Sequence, residues 1–354
     1  MSDDFRIDAH KLIFHPRRVA DWLEGKEIYP IYVEIAPSGA CNHRCIFCAL
    51  DYLGYRPVFL DRDLILMRLQ EMAQKGVKSV MYAGEGEPLL NKATPEIANA
   101  TRRLGIDVAL TSNGVLFTKE VARECLAAFT WVRFSVNGGT ARTYERVHRC
   151  RPGDFERVLA NISEAVRVKH SQGLLTTIGV QILMIPENFA EVFTLGKMVQ
   201  EIGVDYFTVK PYSQHPKSSA AIDPAFNYRD YLDLEQQVKE LETGSFRVAF
   251  RSNAMRKLKR PKVYHRCLGL PFWAYIDAHA RVWACSAYLG DENFCYGSLK
   301  EESFAAIWEG ERRAQVKARV AEMDVSGCRE ICRLDEINGY LHELKHPGKH
   351  VNFI

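Results

Sequence analysis

Cys41, Cys45 and Cys48 stand in the spacing C-x3-C-x2-C directly after a short apolar run containing Ile31, Val33 and Ile35. Three thiolates on one loop can hold three irons of a [4Fe-4S] cube and leave the fourth iron open to a ligand that the protein does not supply. An open iron is a reactive one. The competing use of such a loop is structural zinc, which closes its shell with four protein ligands, and the extra candidate inside the loop is His43. Short cysteine clusters without a secretory signal serve metals more often than disulfides, so iron-sulfur is the expectation.

Further polar motifs follow the next apolar runs. Phe47 directly precedes the third cysteine, and Gly84-Glu85-Gly86-Glu87-Pro88 follows the second run, where the glycines let backbone approach a ligand and Glu87 can meet an ammonium group. Thr111-Ser112-Asn113-Gly114 follows the third run, and the fourth ends in Ser135 and Asn137. After the sixth, Lys210-Pro211-Tyr212-Ser213-Gln214-His215 gathers polar side chains around one proline. Lys210, Tyr212, Gln214 and His215 are read as substrate contacts, against the alternative of a loop that satisfies itself.

Those motifs need elements to bring them together. Strands are expected over Ile31–Ile35, Ser79–Ala83, Val108–Thr111, Trp131–Val136, Thr176–Ile185 and Tyr206–Lys210, with helices between them such as Leu64–Gln74, closed by Gly76, and Phe155–Lys169, capped by Asp154. Six βα repeats over residues 31–215 predict an α/β fold, a partial (β/α)6 barrel of the TIM type, whose reactive residues lie at the C-terminal ends of its strands. Residues 1–30 read as an N-terminal extension. Residues 216–262 read as a helical and basic linker whose run Arg251, Arg256, Lys257, Lys259, Arg260 and Lys262 is either a solvated connection or a rim that attracts an anionic substrate. Residues 263–354 form a small C-terminal cysteine-bearing segment, with a hairpin over Trp273–Cys285 and a helix from Phe304 capped by Ser303.

Composition narrows the classes. The chain has 354 residues, 47 % hydrophobic, and a net charge of +3 from 47 basic and 44 acidic residues, which is far from the footprint of a nucleic-acid binder. No apolar stretch approaches the roughly 20 residues that cross a bilayer, and the chain starts on acid rather than a basic signal region. With ten cysteines and no secretory signal, a cytoplasmic protein using metal or redox chemistry is expected, with neither nucleic acid nor membrane as partner.

In the order of its motifs the chain resembles the radical S-adenosylmethionine (SAM) superfamily: C-x3-C-x-aromatic-C, a Gly-Glu-Pro motif after strand two, a Ser-Asn-Gly turn after strand three and a polar end to strand four. The resemblance implies a [4Fe-4S] cluster on Cys41, Cys45 and Cys48 whose open iron is chelated by SAM, and a 5′-deoxyadenosyl radical that takes a hydrogen atom from substrate. It implies that Gly84, Gly86 and Glu87 hold the methionyl part beside Phe47, that Ser135 meets the ribose or carboxylate, and that Ser112 and Asn113 meet neighbouring groups. Because Gly84-Glu85-Gly86-Glu87 replaces the commoner Gly-Gly-Glu, either glutamate can face the ligand.

The C-terminal segment looks like the SPASM or shorter twitch domain that holds auxiliary clusters, which implies a second [4Fe-4S] cluster on Cys267, Cys285, Cys328 and Cys332. Ala280 stands where that family usually has glycine, and the closing pair is C-x3-C rather than C-x2-C. Cys295 is an extra cysteine: a ligand, a packed thiol, or a catalytic hydrogen donor of the kind that returns a hydrogen atom in related epimerases. The function expected is oxidation or epimerisation of a small polar metabolite such as a sugar, aminosugar, cyclitol or nucleotide-sugar, with flavodoxin or ferredoxin as reductant, since about 30 residues before strand one leave no room for a leader-binding domain. The alternatives are modification of a peptide or protein side chain and, from another class, a non-catalytic electron carrier.

Overall fold

Apolar runs alternate with amphipathic helices along most of the chain, and the structure lays the runs side by side as strands. In chain order come α1 (Pro16–Leu23), β1 (Tyr32–Ile35), α2 (Arg62–Gln74), β2 (Ser79–Tyr82), α3 (Thr94–Arg103), β3 (Asp107–Ser112), α4 (Lys119–Cys125) and β4 (Phe129–Ser135). They are followed by α5 (Ala141–His148), α6 (Asp154–Ser171), β5 (Thr177–Met184), α7 (Val192–Ile202), β6 (Tyr206–Pro211), α8 (Leu234–Lys239), β7 (Arg247–Phe250) and α9 (Ser252–Lys257). The last segment holds β8 (Trp273–Ile276), β9 (Arg281–Trp283), β10 (Cys295–Ser298), α10 (Phe304–Glu309), α11 (Glu311–Glu322) and α12 (Asp335–Lys345). This computed structural model describes residues 6–7 and 9–353.

One sheet carries the described strands in the order β10-β9-β8-β1-β2-β3-β4-β5-β6-β7. From β8 through β7 every neighbour is parallel, while β8, β9 and β10 pair antiparallel. Parallel neighbours require crossover helices, and these bury the outer face of the sheet: Val33, Ile35, Val80, Leu110 and Phe134 join Ile65, Leu69, Val158 and Ile162 in the main core. The alternate side chains point inward, where Met81, Ala83 and Ala109 pack with Tyr32 and Trp131 in a separate small cluster. This is the α/β partial barrel with an appended C-terminal segment that the sequence predicts.

Several local expectations change. The helix expected from Leu64 starts two residues earlier, because Asp61 caps it by accepting the Leu64 N–H at 2.8 Å. Asp154 is not a cap: Gly153, at φ +83°, fills that position, and Asp154 opens α6 with its carboxylate turned inward. Ser303 caps α10 as expected, accepting from Ala306 N–H at 3.0 Å.

The stretch 216–262 holds the short helices α8 and α9 and also the unforeseen strand β7, parallel to β6. Arg256, Lys259 and Arg260 of its basic run are exposed, as a solvated connection requires, and its lysines are also anchored. Lys257 pairs with Asp335 at 3.3 Å and with Glu336, Lys259 Nζ donates to the Pro224 carbonyl at 3.0 Å, and Lys262 Nζ donates to the Arg329 and Glu330 carbonyls at 3.0 and 3.1 Å. These lysines clamp the last cysteines and α12 to the barrel.

Candidate metal and cofactor site

The loop leaving the C-terminal end of β1 carries Cys41, Cys45 and Cys48, all partly buried. It is held on both sides. Arg44 N–H and Ile46 N–H donate to the His148 and Val147 carbonyls, each at 3.0 Å, and Ser218 Oγ donates to the Cys48 carbonyl at 2.8 Å. Cys41 Sγ accepts from His43 N–H at 3.4 Å. Burial pushes the Cys41 thiol up to about 12 and raises Cys45 as well, with the charges of Cys41 and Cys48 adding to the rise. Three facing thiols become thiolates readily once iron supplies the positive charge, so the donor set fits the cluster.

Behind the loop lies a hydrogen bond that the sequence did not reveal. His148, the buried last residue of α5, places Nδ1 at 3.3 Å from Cys45 Sγ, while its Nε2 accepts from Asn137 N–H at 3.1 Å. The Asn137 backbone therefore fixes the tautomer: Nε2 is the acceptor and Nδ1–H donates to sulfur. Asn137 is itself locked, its Oδ1 accepting from Leu183 N–H at 2.6 Å and its carbonyl accepting from Asn188 Nδ2 at 3.1 Å. An N–H···S bond stabilises the more negative, reduced cluster. His148→Phe is expected to keep wild-type iron content but to lower the reduction potential of the SAM-binding cluster, read by an EPR-monitored redox titration. An unchanged potential would remove His148 from the cluster's surroundings.

The Gly-Glu-Gly-Glu-Pro turn packs backbone to backbone on the cysteine loop. Glu87 N–H donates to the Ala40 carbonyl at 2.8 Å, and a Cβ on Gly86 would lie 2.2 Å from the same oxygen, so no side chain fits there. The two glutamates separate clearly. Glu85 faces the C-terminal segment, accepting from Ala278 N–H at 3.0 Å, and burial followed by Asp277 pushes its carboxyl up to about 8. Glu87, only 3 % exposed, accepts from Leu89 N–H at 3.2 Å and from Ser112 Oγ and Asn113 N–H at 2.8 Å each. Its Oε2 receives one of these bonds and has room for another, as an ammonium ligand requires. Glu87 thus joins Gly86, Ser112 and Asn113 in one cradle, and Asn113 Nδ2 reaches Asn42 of the cysteine loop at 2.7 Å. Gly84, at φ +111°, makes the turn toward that cradle. Ser135 ends β4 in register with Gln181, and Phe47 lies edge-on to His148 with ring centres 6.0 Å apart.

Cys267, Cys285, Cys328 and Cys332 come from three parts of the C-terminal segment and meet. Burial raises the Cys285 thiol, and the neighbouring Cys267, Cys332 and Cys328 add to the rise. Each has a local anchor or polar neighbour: Asn338 Nδ2 is 3.7 Å from Cys267 Sγ, Ala287 N–H donates to Cys285 Sγ at 3.4 Å, Tyr288 Oη lies 3.9 Å from Cys328 Sγ, and Arg329 beside Cys332 donates to the Ser213 carbonyl at 2.9 Å. Four converging thiols fit a closed four-cysteine cluster. Ala280, before Cys285, has φ +66°, a conformation that costs a residue with a Cβ roughly 1–2 kcal/mol, which explains glycine as the usual occupant. Cys295 stands apart on the outer strand β10, with its Sγ near the Gly297 carbonyl (3.6 Å) and Arg281. The structure does not gather it with the other cysteines.

Of the four expected substrate residues, Lys210 lies among the barrel's arginines and the other three lie on the loop after β6, where the buried Nε2 of His215 has no hydrogen-bond partner among the described residues. Tyr212 Oη donates to Gln214 Oε1, Gln214 Nε2 donates to the His215 carbonyl at 3.1 Å, and His215 stacks on Tyr52 with ring centres 5.2 Å apart. Burial, then Arg329 and Lys217, lower His215 to about 4, so the ring is neutral at neutral pH. This loop forms a wall between the two cysteine groups: Tyr52 Oη donates to the Leu289 carbonyl at 3.4 Å, and Lys217 Nζ lies 5.9 Å from the rings of both Tyr52 and Tyr288.

A partial barrel with three thiols at its mouth and four more beside it defines a protein built for two iron-sulfur clusters. Family models agree on both parts, the radical SAM superfamily over residues 35–198 and the SPASM iron-sulfur cluster-binding domain over residues 267–333. The chain belongs to the radical SAM superfamily and carries a SPASM C-terminal domain. When bound, the cluster and SAM supply a 5′-deoxyadenosyl radical for hydrogen abstraction, and the SPASM domain adds an auxiliary iron-sulfur cluster.

Among curated proteins it is similar to an AdoMet-dependent heme synthase of Methanosarcina barkeri, 25 % identical over 293 residues, 77 % of this chain and 80 % of that protein. Among solved structures it is similar to Streptococcus suis SuiB bound to S-adenosylmethionine, with a TM-score of 0.68, 18 % identity, and coverage of 94 % of this chain and 79 % of that one. It is also similar to native anSMEcpe with bound AdoMet and Cp18Cys peptide, with a TM-score of 0.59, 16 % identity, and coverage of 89 % and 95 %. Among the described residues no helix is long and apolar enough to cross a membrane.

Proposed function

We propose that this radical SAM enzyme modifies a side chain of a peptide or protein, the alternative that the sequence placed behind a small polar metabolite. The observation that carries this reading is that the chain spans 95 % of anSMEcpe, a neighbour whose structure contains a bound peptide, so a peptide can be held by little more than this barrel and SPASM domain. A separate leader-binding domain is therefore not required for holding a peptide. SuiB, whose structure has also been solved with its precursor peptide, shares the fold over 94 % of this chain.

Net oxidation is the outcome the geometry favours. Cys295, the candidate for returning a hydrogen atom, stands on the outer strand, whereas the auxiliary cysteines adjoin the barrel mouth across the wall of Tyr52 and His215. A cluster there is placed to accept the electron left after hydrogen abstraction. A flavodoxin or ferredoxin supplies the reducing electron for SAM cleavage.

The test uses reconstituted enzyme, SAM and dithionite with cell extract divided by ultrafiltration. Formation of 5′-deoxyadenosine above the extract-free level is expected with the retained fraction, and it should vanish after that fraction is digested with protease and the protease is removed. Stimulation by the small-molecule filtrate alone would return the reading to a metabolite.

A further inference from the structure

The inside of the barrel is positively charged well beyond what its own acids balance. Arg133 on β4 and Lys210 on β6 project into it, with Arg251 close to Lys210, and Arg329 and Arg333 reach in from the C-terminal segment. Glu34 on β1 is the carboxylate among them, and it is already taken: Arg333 Nη2 pairs with it at 2.6 Å while Arg333 Nη1 donates to Tyr32 Oη at 3.0 Å. Arg329 is tied to the Ser213 carbonyl, and both it and Arg333 also face the Cys332 thiol, so an auxiliary cluster partly balances these two.

Arg133 and Lys210 both feel the Glu34 carboxylate, but its ion pair goes to Arg333, so one negative charge is shared among three cations. Arg133 reaches only the Thr111 hydroxyl at 3.4 Å, lies 5.1 Å from the centre of the Trp131 ring, and leaves its buried Nε without a partner. Lys210 has no hydrogen bond or ion pair to a described residue, and four arginines press on it against the one carboxylate of Glu34. The surrounding chamber is not sealed, since the Arg333 side chain keeps 39 % of its exposure while reaching Glu34 in the lumen. Two half-buried cations that share one carboxylate with Arg333 leave an excess of positive charge, which an entering group with negative charge would balance.

We propose that Arg133 and Lys210 form the receptor for an anionic group of the substrate, a carboxylate or a phosphate, drawn into the barrel through the mouth beside the cysteine loop. The guanidinium offers a planar fork to two oxygens and the ammonium a point charge, and Trp131 beneath Arg133 fixes the fork's plane. Anchored there, the substrate is oriented before its hydrogen is taken, which is where binding energy serves a radical enzyme best. This rests on the reading that the substrate occupies the barrel, and it holds whether the anion belongs to a peptide or to a free metabolite.

The experiment uses the holoenzyme with both clusters and SAM bound, and isothermal titration calorimetry with three probes: a hexaglutamate peptide, citrate and pyrophosphate. At least one probe should bind one to one, and its affinity should fall about tenfold in Lys210→Gln and in Arg133→Gln, as loss of one charge-assisted contact predicts. Lys210→Arg should retain the affinity, and iron content and SAM binding should match wild type in all three variants. Preference for the peptide, citrate or pyrophosphate identifies the source of the anion. If no probe binds, or the Gln variants bind as well as wild type, the receptor is overturned. Should either Gln variant lose iron, Lys210→Arg decides: affinity lost with iron intact also overturns it, and affinity kept sustains it. The extract-fraction assay is independent, because a result in favour of a small metabolite leaves a binding anion receptor standing, and failed probes leave a peptide result standing.

Discussion

Alanine at Cys41, Cys45 and Cys48 together is expected to take reductive SAM cleavage to background and to remove about four irons and four sulfides per chain, the content of one cube. The most informative single change is Cys48→Ala. Ring nitrogens of His43 and His148 and the sulfur of Cys45 lie within 4.8 Å of one another, a group that could take a lone metal without involving Cys41 or Cys48. A cluster on the loop needs Cys48, and C48A then loses both iron and SAM cleavage. A lone metal on the two histidines and Cys45 would survive the same change. The geometry argues for the first result, because His148 Nε2 already accepts the Asn137 N–H and its Nδ1 is left as a donor, which suits a bond to thiolate and not a bond to metal. Iron analysis and 5′-deoxyadenosine production after anaerobic reconstitution provide the readout. SAM cleavage that persists in the triple variant would overturn the assignment.

The cysteine loop was legible because its information is local: three thiols within eight positions, placed after an apolar strand. The same holds for the six barrel strands, whose apolar runs are long enough to show. What the sequence hid depends on distance along the chain. His148 is one histidine at a helix end, 103 residues from Cys45, and no spacing rule connects them. The hairpin β8–β9 was visible, yet its parallel pairing with β1, Tyr32 opposite Trp273, is a long-range contact that local pattern cannot express. Strand β7 escaped because it has four residues, opens on Arg247 and buries only Val248 and Phe250. The anchoring of part of the basic run was hidden for a related reason: the acids and carbonyls that Lys257 and Lys262 hold lie some 70 to 80 positions further on. Glu85 and Glu87 are two residues apart and chemically alike, and the backbone path of one turn decides that only Glu87 meets Ser112 and Asn113.

Removing the four C-terminal cysteines is expected to separate SAM cleavage from product formation. With Cys267, Cys285, Cys328 and Cys332 all changed to alanine, the chain should keep about four irons and four sulfides and still make 5′-deoxyadenosine under dithionite, because the loop cluster and its cradle are untouched. The complementary triple variant at Cys41, Cys45 and Cys48 should also keep about four irons, now in the auxiliary site. A value near zero there would mean that no auxiliary cluster exists, and about eight would mean a further cluster beyond these seven cysteines. The auxiliary site has a structural consequence as well. Its ligands come from the segment before β8, the end of β9 and the turn between α11 and α12, and Asn338 of α12 already accepts the Leu268 and Gly269 N–H groups at 2.7 and 2.8 Å. A cluster across these elements staples the hairpin to the last helix and, through β8, to the barrel edge at β1. Without it, the segment after residue 263 should become more open to limited proteolysis while the barrel stays resistant. An unchanged digestion pattern together with full product yield would show that the four thiols are packing and nothing more.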